Sequence, residues 1–347
     1  MRVRPAIKRS WAPLSLAMAT LLLAGCERKQ NFLYTAGRGA ESIAWLSWSV
    51  FITFVLVTIV MWGLILWIML RRRGSFDTHE PFDAGGGHSW MAIGGFAIPL
   101  VILSTFFVLS LRGMAEFPLH DDHADHNVHP PDIRVIGHQW WWEVQYVGGP
   151  PDQRFTTANE IHIPVGIPVN MALETADVLH SFWVPKLQGK VDMVPGYVNN
   201  LRLEASHVGT YRGQCSQYCG AQHAHMAVIV VAESPEDYEA WRAHMAQPAA
   251  EPSTPQETRG REVFLSAPCG NCHMVRGTPA GGTVAPNLTH LASRQGLAAN
   301  DFPNDTADLE AWITHAQSLK PEVAMPNITQ FSGEDLRAMV AYLEILK

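Results

Sequence analysis

Two cysteines, two histidines and a methionine form a group of soft metal ligands. Cys215, Cys219, His223 and Met226 lie within one short segment, and His180 precedes them in the chain. Thiolate, imidazole and thioether donors suit copper or zinc and exclude magnesium and calcium. A thioether is a weak ligand typical of copper sites, so Met226 favours copper. A zinc site and a disulfide between the two cysteines are the alternatives, although a disulfide would leave both histidines without a role.

A second group of residues has the spacing that attaches a c-type haem. Cys269-Gly-Asn-Cys272-His273 places a histidine directly after the second of two closely spaced cysteines. In this signature, thioether bonds from both cysteines hold the porphyrin and the histidine binds the iron. A zinc ribbon would need a second cysteine pair of the same spacing, which the sequence lacks. The motif therefore predicts a covalent haem c with His273 as one axial ligand.

The other axial ligand of this haem must come from a distant residue. A haem that transfers electrons usually takes methionine, which raises its reduction potential. We predict Met325, in the loop Ala324-Met-Pro326, as this ligand. Met274 directly follows the histidine and cannot reach the opposite face of the ring. Met339 lies in an amphipathic run that predicts a core position.

Short β-rich runs, separated by glycine and proline, surround the copper ligands. Residues 132–247 therefore predict a single β-sandwich or barrel. A polar, proline-rich linker follows at residues 248–258, and residues 259–347 form a further domain around the haem motif. The β-rich runs lie at 133–136, 140–146, 160–164, 169–174, 199–204 and 226–231.

Two uncharged segments predict a transmembrane hairpin over residues 42–111. Residues 42–70 and 90–111 each exceed the roughly 30 Å hydrocarbon core at about 1.5 Å per residue. Both ends of such a hairpin lie on the same side of the membrane. Basic residues flank both sides of it, so charge does not decide the orientation. Two buried helices of a soluble protein are the weaker alternative, because core helices seldom run so long without a charge.

The amino terminus has the features of an export signal. Residues 1–25 carry basic residues followed by an apolar run. The sequence Leu23-Ala-Gly-Cys26 resembles a bacterial lipobox, so we expect cleavage to leave a lipidated Cys26 at the mature amino terminus. An ordinary signal peptide is the alternative. Export places both termini and the metal-binding domains on the outer side of the membrane.

Composition agrees with several modules, one of them within a membrane. The chain has 347 residues, of which 16% are charged, against about 25% in an ordinary soluble domain. A net charge of −7 argues against a nucleic-acid-binding protein, which needs a basic face for phosphate contacts. Five cysteines cannot all pair as disulfides, so each thiol needs its own explanation.

The pattern Cys-x3-Cys-x3-His-x2-Met, with Asp177-Val-Leu-His-Ser-Phe-Trp upstream, resembles subunit II of cytochrome c oxidases. The transmembrane hairpin, the run Gly137-His-Gln-Trp-Trp-Trp142 and the turn Pro195-Gly196 extend the resemblance over most of residues 42–240. It implies a cupredoxin-like domain with a dinuclear copper centre, CuA. By resemblance, Trp140 is the aromatic residue through which electrons enter that centre.

The resemblance also implies a role for each copper ligand. Cys215 and Cys219 would bridge the two coppers, and His180 and His223 would each bind one of them. Met226 and the carbonyl of Gln217 would be weak ligands. The family commonly has glutamate at the Gln217 position. Gln217 still supplies a backbone carbonyl, because that group does not depend on the side chain. In the family the glutamate side chain helps to hold magnesium, and the resemblance leaves open whether Gln217 does so.

Residues 259–347 are similar to a small class I cytochrome c, which implies an all-α domain. Each of the five cysteines then has a role: Cys26 binds lipid, two bind copper and two bind haem. The implied architecture is multidomain: a two-helix transmembrane hairpin, a cupredoxin-like β-sandwich or barrel and a class I cytochrome c.

Together these features imply the electron-input subunit of a haem–copper cytochrome c oxidase in a bacterial inner membrane. Electrons would pass from an external donor, a cytochrome or the bc1 complex, to haem c, then to CuA, then to subunit I. Oxygen would be reduced in subunit I, subunit III is a further expected partner, and this chain would contribute no catalytic acid or nucleophile. A stand-alone membrane-tethered periplasmic carrier and the CuA subunit of a nitric oxide reductase are alternatives. A quinol oxidase is disfavoured, since those relatives lack the thiolates.

Overall fold

The structure is a computed structural model that describes residues 30–71, 87–116 and 130–347. Within these ranges, two long apolar helices precede a β-sandwich, and a helical domain follows it. The predicted signal segment and Cys26 lie outside the described residues. The multidomain fold class expected from the sequence is confirmed.

Two helices in the described part of the chain are long and apolar enough to cross a membrane. The first, α1, spans Arg38–Arg71 and is 34 residues long. The second span, Gly87–Met114, has a mean hydropathy of 2.3 and no burial against the rest of the chain. It comprises α2 (Gly87–Trp90), a π-helical segment (Met91–Ala97) and α3 (Ile98–Glu116).

The π-helical segment of the second span lies directly before a proline. Pro99 has no N–H to donate to the Gly95 carbonyl, and its ring would clash with that carbonyl in a regular α-helix. A π-helical turn is one of the known ways to absorb such an interruption. The helix therefore continues through the proline instead of ending there.

Ten strands form two five-stranded sheets that pack face to face. The first sheet has the order β3-β2-β1-β5-β8 and the second the order β4-β10-β9-β6-β7. Strands β1 and β5 are parallel, as are β4 and β10, and the other pairs are antiparallel. The strands are β1 (Ile133–His138), β2 (Trp141–Tyr146), β3 (Phe155–Ala158), β4 (Glu160–Pro164), β5 (Val169–Thr175), β6 (His180–Trp183), β7 (Val191–Met193), β8 (Asn199–Leu203), β9 (Gly209–Cys215) and β10 (Ala227–Glu233).

The core of the sandwich lies between the sheets, where alternate residues of each strand point inward. In β2, for example, Trp142, Val144 and Tyr146 are all at most 1% exposed, as the period of two in a strand requires. The sequence did not predict β3, β6, β7 or β9. It also placed Trp140 in a strand, whereas the structure has it in the turn between β1 and β2, because His138 pairs with Trp141.

The carboxyl-terminal domain is built on two crossing helices, α5 (Pro255–Ser266) and α8 (Gly333–Glu344). They meet at Gly260, where a Cβ atom would lie 1.9 Å from the Ala338 carbonyl oxygen. Only glycine permits this approach. Phe264 and Tyr342 fill the core beside the crossing. The other helices are α4 (Pro235–Met245), which ends the copper domain, α6 (Cys269–Cys272) and α7 (Thr306–Leu319), and a short ribbon pairs β11 (Gly296–Leu297) with β12 (Phe302–Pro303).

The segment between the two domains is shorter than the linker expected from the sequence. A capping box between Thr254 and Glu257 starts α5 at Pro255, so the last residues of the predicted linker are helical. The remaining linker is also tied down. The Ala249 amide in the linker donates to the Arg276 carbonyl at 2.9 Å, and the Arg276 guanidinium donates at 2.7 Å to the carbonyl of Ala246, just before the linker.

Candidate copper and haem sites

The sheet that carries β6 and β9 positions two of the predicted copper ligands. His180 is the first residue of β6 and Cys215 the last residue of β9, and Phe182 lies opposite Cys215 in the pairing of these strands. The other predicted ligands lie in the loop between β9 and β10. That loop is closed at its base, where the Cys215 amide donates to the Met226 carbonyl at 2.9 Å.

Two sulfur atoms and two imidazole nitrogens come together between this loop and the ends of β6 and β9. The Sγ atoms of Cys215 and Cys219 lie 3.8 Å apart. His180 Nδ1 is 3.8 Å from the first sulfur, and His223 Nδ1 is 3.6 Å from the second. Each sulfur therefore has one imidazole beside it. Both cysteines are free thiols, so the disulfide alternative does not hold here.

Two weaker donors complete the group. Met226 Sδ lies 3.9 Å from Cys219 Sγ, and the Gln217 carbonyl oxygen lies 3.2 Å from Cys215 Sγ. His180 and Met226 are fully buried, and both cysteines are at most 3% exposed. The structure thus brings the six predicted copper ligands together, with Gln217 and His223 partly exposed at the edge of the group.

Trp140 covers one side of this site. Its indole Nε1 donates to the Cys219 carbonyl at 3.0 Å, and the residue is 6% exposed. Gly220 makes room for the ring: it has φ +116°, and a Cβ atom there would lie 2.9 Å from Trp140 Cζ2. The predicted electron-entry aromatic is therefore in contact with the backbone of a predicted copper ligand.

The haem motif forms the short helix α6 and the residue that follows it. Cys272 is exposed, and Cys269 packs against the core of the carboxyl-terminal domain. His273 Nδ1 donates to the Pro286 carbonyl at 2.7 Å, which leaves Nε2 as the ring nitrogen with a free lone pair. Burial lowers the pKa of His273 and so favours the neutral imidazole that metal binding requires.

Met325 is half-buried and packs against the same core. Its loop is held by Gln317, whose side-chain amide donates to the Val323 carbonyl at 2.6 Å and to the Met325 carbonyl at 2.7 Å. Met339 is 1% exposed inside α8, where the amphipathic pattern places it. Met274 Sδ accepts a hydrogen bond from Asn287 Nδ2 at 3.4 Å.

The chain matches two protein families, one on each of these sites. The family model of the cytochrome c oxidase subunit II periplasmic domain matches residues 148–233, and that of cytochrome c matches residues 257–347. Cytochrome c oxidase subunit 2 of Alkalihalophilus pseudofirmus is 34% identical over 337 residues, which cover 96% of each chain. The chain belongs to the cytochrome c oxidase subunit 2 family.

The chain is also similar to a second relative and to a solved structure. Cytochrome c oxidase subunit 2 of Bacillus sp. strain PS3 is 28% identical over 358 residues, covering 97% of this chain and 98% of the relative. The crystal structure of the periplasmic domain of cytochrome oxidase subunit II from Bradyrhizobium japonicum is 27% identical. It covers 33% of this chain and 93% of that chain, with a TM-score of 0.31.

As a cytochrome c oxidase subunit 2, this chain is a membrane-bound electron-transport subunit of a haem–copper oxidase. Its partner in the oxidase complex is subunit I. The β-sandwich is the CuA copper domain and the carboxyl-terminal domain is the cytochrome c domain, which implies copper in the first and haem in the second.

The chemistry of the sulfur pair fits copper. The two thiols are electrostatically coupled: a hydrogen bond from Cys219, opposed by burial, holds the pKa of Cys215 well below its usual range. The same hydrogen bond and burial raise the pKa of Cys219. Ligand atoms of His180 and both cysteines lie within 4.8 Å of one another. A cationic metal would displace the remaining thiol proton and balance two thiolates at this site.

Asp177 orients His180, a predicted copper ligand, and no function was predicted for this aspartate from the sequence. Partial burial opposes ionisation of its carboxyl, but hydrogen bonds from His180 and from the Val178 and Gln139 amides lower the pKa of Asp177. An aspartate three residues before a metal-binding histidine is the signal that could have predicted it, since such histidines usually bond a carboxylate through the other ring nitrogen.

A buried cation lies near His273 in the cytochrome domain, and it was not predicted from the sequence. Arg294 is 8% exposed, and its Nε has no hydrogen-bond partner within the described residues. Burial lowers the pKa of Arg294 to about 10. The guanidinium lies close enough to His273 to lower the pKa of that imidazole further. A carboxylate-bearing ligand such as haem would satisfy the free N–H of Arg294, so these residues fit the group that the motif predicts.

Proposed function

We propose that this chain accepts electrons on a covalently attached haem c and passes them, through a dinuclear CuA centre, to the haem–copper centre of subunit I. The observation that carries this proposal is the buried pair of sulfurs 3.8 Å apart, each with an imidazole Nδ1 beside it. When bound, the copper and haem groups supply one-electron oxidation and reduction. The residues of the chain bind and position these groups, and none acts as an acid, base or nucleophile.

In the copper domain, two bridging thiolates and two imidazoles would hold a pair of metal ions. The sheet and the loop closed at its base would hold these donors in place, which favours electron transfer because little must rearrange when the charge changes. Trp140, in contact with the Cys219 carbonyl, is the proposed entry aromatic. The proposed ligands are His180, Cys215, the Gln217 carbonyl, Cys219, His223 and Met226.

In the cytochrome domain, Cys269 and Cys272 would form the thioether bonds. His273 would bind the iron through Nε2, because its Nδ1 is engaged by the Pro286 carbonyl. Met325 is the proposed second axial ligand, from a loop that Gln317 fixes by two hydrogen bonds.

We also propose the setting of the subunit in the cell. The two apolar spans would form a hairpin in a bacterial inner membrane, with both metal domains on the periplasmic side. A signal segment over residues 1–25 would be removed and Cys26 acylated. Subunit III and an external donor, a cytochrome or the bc1 complex, complete the proposed set of partners.

The substitution Cys219→Ser tests the electron path. In the purified oxidase, the variant should retain haem c but lose the near-infrared absorption of the copper centre, and the haem should no longer pass electrons to subunit I. Tyr218→Phe is the matched control within the same loop, because the Tyr218 side chain is 74% exposed and phenylalanine keeps its ring beside His223. An unchanged rate of oxygen reduction in the Cys219 variant would refute the proposed path.

A further inference from the structure

Lys320 is a buried lysine at the boundary between the cytochrome and copper domains. Its side chain is 1% exposed. The ammonium donates to the Ala298 carbonyl at 2.7 Å and to the His225 carbonyl, and it lies 3.3 Å from the Asp301 carboxylate and 3.5 Å from the Trp140 carbonyl oxygen. A buried charge is tolerated only when it is paired and hydrogen-bonded. These partners come from both domains. The charge of Lys320 is therefore fully paired and hydrogen-bonded only while the domains are in contact.

The turn that supplies the Ala298 carbonyl and the Asp301 carboxylate to Lys320 has an unusual backbone. Ala298, Ala299 and Asn300 have φ values of 51°, 62° and 62°, a left-handed conformation that residues with a Cβ rarely adopt. The turn lies against the copper domain: the Ala227 amide donates to the Ala299 carbonyl at 3.2 Å, and Asn300 Nδ2 donates to the Asn159 carbonyl at 3.0 Å. Contacts across the interface therefore help to hold a turn that is disfavoured by itself.

Lys320 also begins the segment that leads to Met325. The next carbonyl, that of Pro321, accepts a hydrogen bond from Gln222 Nε2 at 2.9 Å. Val323 then packs against the hydrophobic core of the copper domain. Gln222 lies directly before His223, so the loop that carries the proposed haem ligand touches the loop that carries the copper ligands.

We infer that Lys320 is a positioning residue: it holds the cytochrome domain, with its Met325 loop, against the Trp140 side of the copper domain. Electrons then cross between the domains in one fixed arrangement and not after a diffusional encounter. The Trp140 side is covered by the cytochrome domain of the same chain, so an external donor delivers only to that domain. This inference rests on the proposed electron path.

Hydrogen exchange in the purified oxidase tests the inference. Two amides donate across the interface: that of Ala227 to the Ala299 carbonyl, and that of Gln295 to the Glu160 carboxylate at 3.0 Å. Lys320→Met keeps the length of the side chain but removes the ammonium. We expect exchange at both amides to accelerate by about tenfold to a hundredfold, the factor that loss of a charged hydrogen bond implies. Amides in β1 and β5, which lie in the other sheet, should keep their rates.

Two further variants make the test specific. Lys190→Met is the matched control, because the Lys190 ammonium pairs with Asp192 at the surface and its side chain is 47% exposed; its exchange pattern should equal that of the unmodified protein. Lys320→Arg should restore part of the lost protection, since it keeps the positive charge.

A spectroscopic measurement separates domain positioning from general stability. The oxidised haem speeds the spin relaxation of the nearby copper signal in a strongly distance-dependent way. We expect this enhancement to fall in Lys320→Met while the absorption spectra of both metal groups stay unchanged. In the Lys190→Met control, the relaxation enhancement should equal that of the unmodified protein.

Asn300→Gly keeps the inference testable if Lys320→Met fails to fold. Glycine accepts the left-handed backbone, and only the amide contacts to the copper domain are lost. We expect a several-fold acceleration of exchange confined to the interface. Interface exchange that is unchanged in this variant, or in Lys320→Met, overturns the inference. Exchange is read without electron transfer, so its result is independent of the Cys219→Ser experiment.

Discussion

Asp177 Oδ1 accepts a hydrogen bond from His180 Nε2 at 2.8 Å. Because Nε2 is thereby the protonated nitrogen, Nδ1 carries the lone pair, and Nδ1 is the atom that lies 3.8 Å from Cys215 Sγ. The carboxylate fixes both the tautomer and the orientation of a proposed copper ligand. Such partners commonly contribute tenfold to a hundredfold to metal affinity.

We therefore expect Asp177→Asn to lower copper affinity by about tenfold to a hundredfold. An amide can still accept a hydrogen bond but supplies no negative charge. The measurement is loss of copper from the purified oxidase against a chelator of graded concentration. Asp152→Asn, in an exposed turn of the same domain, is the control. Equal copper retention in both variants would show that Asp177 is not a partner of the site.

The methionines of the cytochrome domain give a second prediction. Met325→Leu should remove the methionine–iron absorption band and lower the reduction potential of the haem, because a thioether ligand raises it. Haem attachment should be unaffected. Met339→Leu is the matched control: it changes the core at a residue that is 1% exposed and should cost less than about 1.5 kcal/mol without altering the ligands. If Met325→Leu retained the band, another residue would have to be the axial ligand.

Much of this organisation could be predicted from the sequence, because ligand spacing and hydrophobic length are local properties. The predicted copper ligands, the haem motif and both apolar spans could be predicted for this reason. The strands β6 and β9 were missed although they hold His180 and Cys215, since a short strand interrupted by polar ligands carries no clear alternation. The contacts of Lys320 were beyond prediction, because they join residues that are far apart in the chain.

A buried histidine in the copper domain predicts a pH-dependent stability. His162 Nε2 lies 3.0 Å from Glu160 Oε1, Nδ1 lies 3.2 Å from Glu233 Oε2, and the ring stacks on Trp241. Burial opposes the charged imidazole, but the two carboxylates raise the pKa of His162 above its usual 6.5. The protonated form is thus favoured by folding. Its contribution to stability is fully present below about pH 6.5 and is lost as pH rises through the raised value.

The variant His162→Gln should lack this dependence. Thermal unfolding of the unmodified protein should shift to lower temperature as pH rises above about 6.5, and the curve for the variant should be flatter across that interval. Parallel curves for the two proteins would show that the flanking carboxylates do not stabilise a protonated imidazole. The comparison is made with metal content matched between samples.

The helix crossing of the cytochrome domain gives a prediction about packing. In Gly260→Ala, the added Cβ would lie 1.9 Å from the Ala338 carbonyl oxygen, so α5 and α8 must separate. We expect a loss of about 1–3 kcal/mol in unfolding free energy. Gly281→Ala is the control in the same domain, because nothing lies within 4 Å of its added atom. Denaturant unfolding followed by haem absorbance distinguishes the two, and equal stability would contradict the close approach.

The most direct test of the central claim is metal analysis of the native oxidase combined with electron paramagnetic resonance of the copper domain. The two buried sulfurs with one imidazole each predict two coppers in this domain of each subunit, with one unpaired electron shared equally between them. A single zinc ion, or copper whose spectrum shows one isolated nucleus, would contradict the account.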